Sequence, residues 1–141
     1  TPMKRFAILF MCLFLSAGAC LAEDTVVSDP ALLFQYYRFN TMHFSGKLPI
    51  ENVIVKWDET ISKLQVAGTR ITHYEGEPEK VSMGISLYAK DCETCVSMAI
   101  LHEMVHIKLR DRNWTAKDLH GDEFQKEMLE LAKQGAFNQY W

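Results

Sequence analysis

The sequence predicts an α+β fold: a first helix on a small three-stranded sheet, a strongly apolar helix beneath it, and a last helix closing the domain. Three observations predict this. A capped helical pattern opens at Asp29, three short alternating runs follow between residues 52 and 87, and two more helical patterns carry the chain to Lys133. Strands gathered in one block with helices outside it make an α+β chain. The 141 residues, 48% of them hydrophobic, supply one core and too little for two.

In order, Asp29 is placed to cap the first helix and Pro30 suits its first turn, while Leu33, Tyr36, Tyr37, Asn40 and Phe44 fall at roughly helical spacing. Ser45, Gly46 and Lys47 stop it, and Pro49 marks the break. His43, with no partner at metal spacing, reads as a packing or surface residue. The run 52–57 (N-V-I-V-K-W) reads as a first strand and about 65–74 as a second, with Gly68 marking a bulge or a close backbone approach. The polar stretch 75–80 is a hairpin turn and 81–87 a third strand. His73 and Tyr74, at a strand end, are ordinary positions that would donate a hydrogen bond to a reacting oxyanion only if the strand reaches a cleft.

Residues 96–109, V-S-M-A-I-L-H-E-M-V-H-I-K-L, are apolar on nearly every helical face except at His102, Glu103 and His106. Buried polar groups are costly unless satisfied, and a metal ion would satisfy these. Residues four apart share a helix face, so His102 and His106 can present two imidazoles to one ion, with Glu103 beside it to take a proton from a bound water. This is the H-E-x-x-H arrangement of zinc metalloproteases.

One Zn²⁺ at a catalytic site takes three protein ligands. A glycine-then-histidine extension of the motif is ruled out, because Leu109 and Arg112 stand at those positions. The third ligand is therefore expected from His120 in D-L-H-G-D-E-F, brought back by the loop 110–119, which also carries Asn113, Trp114 and Asp118. Gly121 would allow the approach and Phe124 would anchor the segment. Glu123 or Glu127 on the last helix, 122–133, is the alternative ligand.

Cys92 and Cys95 form a C-x-x-C just ahead of the metal helix and are expected to pair as a local disulfide after export. The export expectation comes from the start of the chain. Met3 is followed by Lys4 and Arg5, an apolar run over 6–15 and the small residues Ser16, Ala17, Gly18 and Ala19, the three-part pattern of a secretory signal peptide. The expected division is a leader over 1–22, with Thr1 and Pro2 as a remnant, and one domain over 23–141. Cleavage fits after Ala22 or after Ala19. The second would leave Cys20 first, as in a bacterial lipoprotein, although Ala17 stands where such sites usually carry leucine. The protein is thus expected in the bacterial periplasm or secreted, with a lipid anchor at Cys20 as the variant and no transmembrane segment after cleavage.

Net charge is −3, and the one basic cluster, Lys108, Arg110 and Arg112, is interrupted by Asp111 and reads as a solvated helix end. Duplex binding needs many phosphate contacts, so no nucleic-acid partner is expected.

The order of F-N-T-M-H-F-S-G-K-L-P, a strand with Val55, Lys56 and Trp57, Ala67-Gly68, a third strand, L-H-E-M-V-H and H-G-D-E-F resembles the SprT-like domain, the zincin-like metalloprotease domain also found in Spartan. The likeness runs over about 32–131. It implies zinc ligands at His102, His106 and His120, and Glu103 as general base. Relatives that cleave DNA-crosslinked proteins often add a zinc ribbon or DNA-binding region. No four-cysteine ribbon follows the last helix here and an export signal precedes the domain, so DNA repair is not carried over. The expected activity is zinc-dependent hydrolysis of protein or peptide substrates. A non-catalytic exported zinc-binding module is the alternative, and a DNA-associated protease a third.

Overall fold

The computed structural model describes residues 26–111 and 119–138. The expected leader, Cys20 and the loop residues Asn113, Trp114 and Asp118 lie outside them. The elements run α1 (Pro30–His43), β1 (Val53–Asp58), β2 (Ala67–Thr72), β3 (Lys80–Ser86), a 3₁₀ turn at Leu87–Ala89, α2 (Glu93–Lys108) and α3 (Asp122–Lys133). This is the expected α+β arrangement, with each element within a few residues of its predicted place. Among the described residues, no helix is long and apolar enough to cross a membrane.

Helix α1 starts where its cap demands. The Asp29 carboxylate accepts from the backbone N–H groups of Ala31 and Leu32, both at 3.0 Å, and Pro30 lacks the N–H that would have gone unpaired. Leu32, Tyr36, Phe39 and Asn40 form its buried face. Asn40 has a role its helical spacing did not reveal. Its amide Nδ2 donates to the Leu48 carbonyl and its Oδ1 accepts from the Leu48 N–H, each at 3.1 Å. The Tyr36 hydroxyl donates to the Pro49 carbonyl at 2.9 Å. Together they fold the S-G-K-L-P segment back on α1, and a fully buried amide is left with no unpaired polar atom.

The strands order as β1-β3-β2, with β1 parallel and β2 antiparallel to the central β3. Period-2 alternation puts Val81, Met83 and Ile85 on the helix side, where all three are fully buried. Val55 and Thr69 pair with Met83 from either side, so both also face the helices. Gly68 marks no bulge: the pairing runs regularly through it, opposite Gly84. A Cβ on Gly68 would lie 3.3 Å from the Gln65 side-chain amide, and the tighter approach falls on Gly84, where a Cβ would lie 2.8 Å from the Asp58 carboxylate. Bare backbone on β3 lets the turn after β1 fold over the outer face of the sheet.

Helix α2 is buried nearly all round, through Val96, Ala99, Ile100, Leu101, Met104, Val105 and Ile107. It begins at Glu93, one turn's fraction before the expected Val96, because Cys92 supplies the cap: its sulfur accepts from the Cys95 N–H at 3.2 Å. Cys92 and Cys95 are disulfide-bonded, as expected from the C-x-x-C. Closing so short a loop restricts the unfolded chain modestly, by about 2 kcal/mol. Reduction is therefore expected to lower the urea-unfolding free energy of the folded protein by about that amount. An unchanged midpoint with and without reductant would show that the bridge does nothing for α2.

Helix α3 ends in a left-handed turn at Gly135, φ 79°. The Gly135 N–H bonds to the Ala132 carbonyl and the Ala136 N–H to the Leu131 carbonyl, both at 3.0 Å, which satisfies the helix's last acceptors. Leu131, Ala136 and Phe137 are buried there, and Phe124 is buried at the opposite end of the helix. That places a ring from α3 against the polar notch in α2.

Candidate metal centre

His102 and His106 project from one face of α2, as their four-residue spacing requires. His120 reaches them from the turn before α3. The three Nε2 atoms converge, at 3.1 Å between His102 and His120, 3.3 Å between His102 and His106, and 3.2 Å between His106 and His120. Tetrahedral ligation at a zinc–nitrogen distance of about 2.0–2.1 Å sets the spacing between ligand nitrogens at roughly 3.3 Å. The donor set fits: these three residues could hold a metal ion.

Burial lowers the His102 pKa and pushes that of His106 down to about 4, with the neighbouring imidazoles adding to both effects. Both rings are therefore neutral at neutral pH, the form that offers a lone pair to a metal. The glutamate alternatives for the third ligand do not join the cluster. Glu127 forms an ion pair with Lys108, and Glu123 stands outside the group of converging nitrogens. His43 lies at the far end of α1 against Phe39, 5.8 Å between ring centroids.

Glu103 is 7% exposed, a carboxylate taken almost wholly out of water on the same helix. Its burial raises its pKa, while a hydrogen bond from Thr69 and the nearby His120 work the other way. The Thr69 hydroxyl donates to Oε2 at 2.6 Å. Thr69 went unnoticed in the sequence. Its one signal was position: an inward-facing strand residue next to Gly68, at the register that meets α2.

A cleft of about 1260 Å³ runs over this centre between β2 and α3. Its walls are largely apolar, with Leu64, Val66, Ile71, Met98, Leu119 and Met128 among them. At one end Arg110 donates to Glu79 at 2.7 Å. His73 lines the cleft at that end, whereas Tyr74 is exposed and stands outside it.

Rings pack closely around the three histidines. The Phe124 centroid lies 4.8 Å from that of His102, 4.6 Å from His106 and 4.9 Å from His120. The residue that the sequence offered as an anchor for the H-G-D-E-F turn thus touches all three candidate ligands.

No curated protein and no solved structure matches the chain significantly. A protein-family comparison does: the SprT-like family model matches residues 33–139, spanning both helices of the centre and the whole sheet. With most of the first helix, the three strands and the paired L-H-E-M-V-H and H-G-D-E-F segments inside that match, this chain belongs to the SprT-like family.

Proposed function

We propose that the chain is an exported zinc endopeptidase in which His102, His106 and His120 hold the ion and Glu103 is the general base. The observation that carries this reading is the convergence of three imidazole nitrogens beside a buried, hydrogen-bonded carboxylate inside a cleft. A zinc ion bound there supplies a Lewis acid for the scissile carbonyl and a water acidified from about 15.7 to about 7.

Glu103 does the proton work. Its carboxylate takes a proton from the attacking water and then delivers it to the leaving amine. Burial helps, because a base whose pKa is raised towards neutrality accepts a proton more readily at working pH. The Thr69 hydroxyl holds Oε2 and so fixes the carboxylate's orientation, leaving the other oxygen for the proton. Strand β2 is an edge of the sheet and borders the cleft, so an extended peptide lying there meets backbone groups that β3 does not use. This favours polypeptide over small-molecule substrates.

Export rests on the leader pattern and is supported by the Cys92–Cys95 disulfide, a bond that persists in oxidising compartments. A mature chain starting at Glu23 is proposed, with acylation of Cys20 as the variant that intact mass would detect. No nucleic-acid partner is proposed.

The test of the activity is digestion of a broad peptide library by the purified mature protein. Cleavage is expected, abolished by a chelator and restored by Zn²⁺. A digest indifferent to chelation would end the reading.

Thr69→Val makes a smaller, pH-specific prediction. The lost donor stabilised the charged form of Glu103, so its removal raises that pKa further. The acidic limb of the kcat/KM profile is expected to move to higher pH, with a loss of about tenfold at neutral pH. An unshifted limb would mean that Thr69 does not touch the base during turnover.

A further inference from the structure

We infer that Phe124 is a positioning residue for the metal: its ring is the common floor that sets the rotation of His102, His106 and His120. Three imidazoles must each be held at one rotation about the Cβ–Cγ bond for their Nε2 atoms to meet. The usual device is a hydrogen bond from the other ring nitrogen to a carboxylate, a carbonyl or water. Among the described residues, no side chain or carbonyl makes such a bond to Nδ1 of any of the three; their ring-nitrogen contacts are the mutual Nε2 ones.

Packing on Phe124 constrains all three rings directly. The ring lies nearly flat on His106, with 28° between planes, stands edge-on to His120 at 87°, and is tilted 60° to His102. Turning any of the imidazoles towards it would drive ring atoms into a buried side chain that is 3% exposed and has no room to withdraw. Phe124 also sits in the first turn of α3, just after the turn that carries His120. The same side chain therefore fixes the rings on α2 and brings the third ring to them.

The inference rests on the metal reading of the histidines but not on peptide hydrolysis, and binding of Zn²⁺ and Co²⁺ alone tests it. Phe124→Leu keeps an apolar side chain and removes the flat ring. Leu131→Ala is the control: it weakens the buried face of the same helix without reaching the imidazoles. Phe124→Tyr keeps the ring.

Both Phe124→Leu and Leu131→Ala are expected to lower the melting temperature of the metal-free protein. Only Phe124→Leu should weaken zinc affinity, by about 10–100-fold in chelator competition, and change the visible absorption of the Co²⁺-loaded protein. Phe124→Tyr should restore both readouts. Should Phe124→Leu fail to fold, Phe124→Met takes its place in the same comparison. Wild-type affinity and an unaltered Co²⁺ spectrum in the ring-less variant would overturn the inference alone, as would an equal loss in Leu131→Ala. A wild-type protein that binds neither ion would overturn it together with the metal reading.

Discussion

Replacing Glu103 with glutamine is expected to lower kcat/KM for peptide cleavage by about 10³–10⁴-fold while leaving zinc content unchanged. The change is isosteric. The Thr69 hydroxyl can donate to the amide oxygen as it does to the carboxylate, so the packing beneath the cleft survives. What is lost is the proton acceptor, and an amide cannot replace it at any accessible pH. That loss corresponds to about 4–5.5 kcal/mol in the barrier. Stability should not fall with it, because Glu103 is held out of water and a neutral group there avoids the desolvation of a charge. The three measurements belong together: metal content by elemental analysis, melting temperature, and steady-state cleavage. Wild-type turnover in this variant would remove Glu103 from the mechanism, whatever the other two report.

The second large effect belongs to the third imidazole. His120→Ala is expected to weaken zinc binding by about 10²–10³-fold, since each ligand of a protein zinc site carries roughly 3–4 kcal/mol of its binding free energy. The consequence extends beyond the site. His102 and His106 sit on α2 and His120 precedes α3, so an ion held by all three joins two elements that otherwise meet through packing and the exposed Lys108–Glu127 pair. A ligand at 100 times its Kd stabilises the folded state by about 2.7 kcal/mol. Wild-type protein should therefore melt at higher temperature with zinc than with chelator, and the His120→Ala variant should show almost no difference. Hydrogen exchange adds location: chelation should speed exchange in α3 before it reaches the centre of α2. Equal zinc affinity in wild type and variant would mean that His120 does not ligate the ion.

The candidate histidine cluster was more legible in the sequence than the sheet was. His102 and His106 declared themselves because the rest of α2 is so uniformly apolar that any polar residue needed a partner. His120 followed because a three-ligand site required one more donor and the positions of the glycine-then-histidine extension were taken by Leu109 and Arg112. The strands could be seen but not their order. Nothing local in 52–57 or 81–87 says that they pair parallel, with the intervening β2 on the far side of β3, because pairing is decided by which faces the helices cover. Gly68 was readable as unusual, but the tighter approach belongs to its partner Gly84, a relation that exists only once the register is set. Asn40 and Thr69 were unreadable for a related reason. Each acts on a residue distant in the chain, Leu48 or Glu103, and neither residue type announces such a partner.

One consequence follows from β2 lying at the rim of the sheet. An unpaired rim does not distinguish a substrate from a sister molecule: any extended chain can zip onto it, and two copies joined in this way would bury each other's clefts. Arg70 stands solvent-exposed in the middle of that strand, and a charged side chain on an edge strand is a common guard against edge-to-edge association. Arg70→Val would remove that guard from the rim while leaving the three histidines untouched.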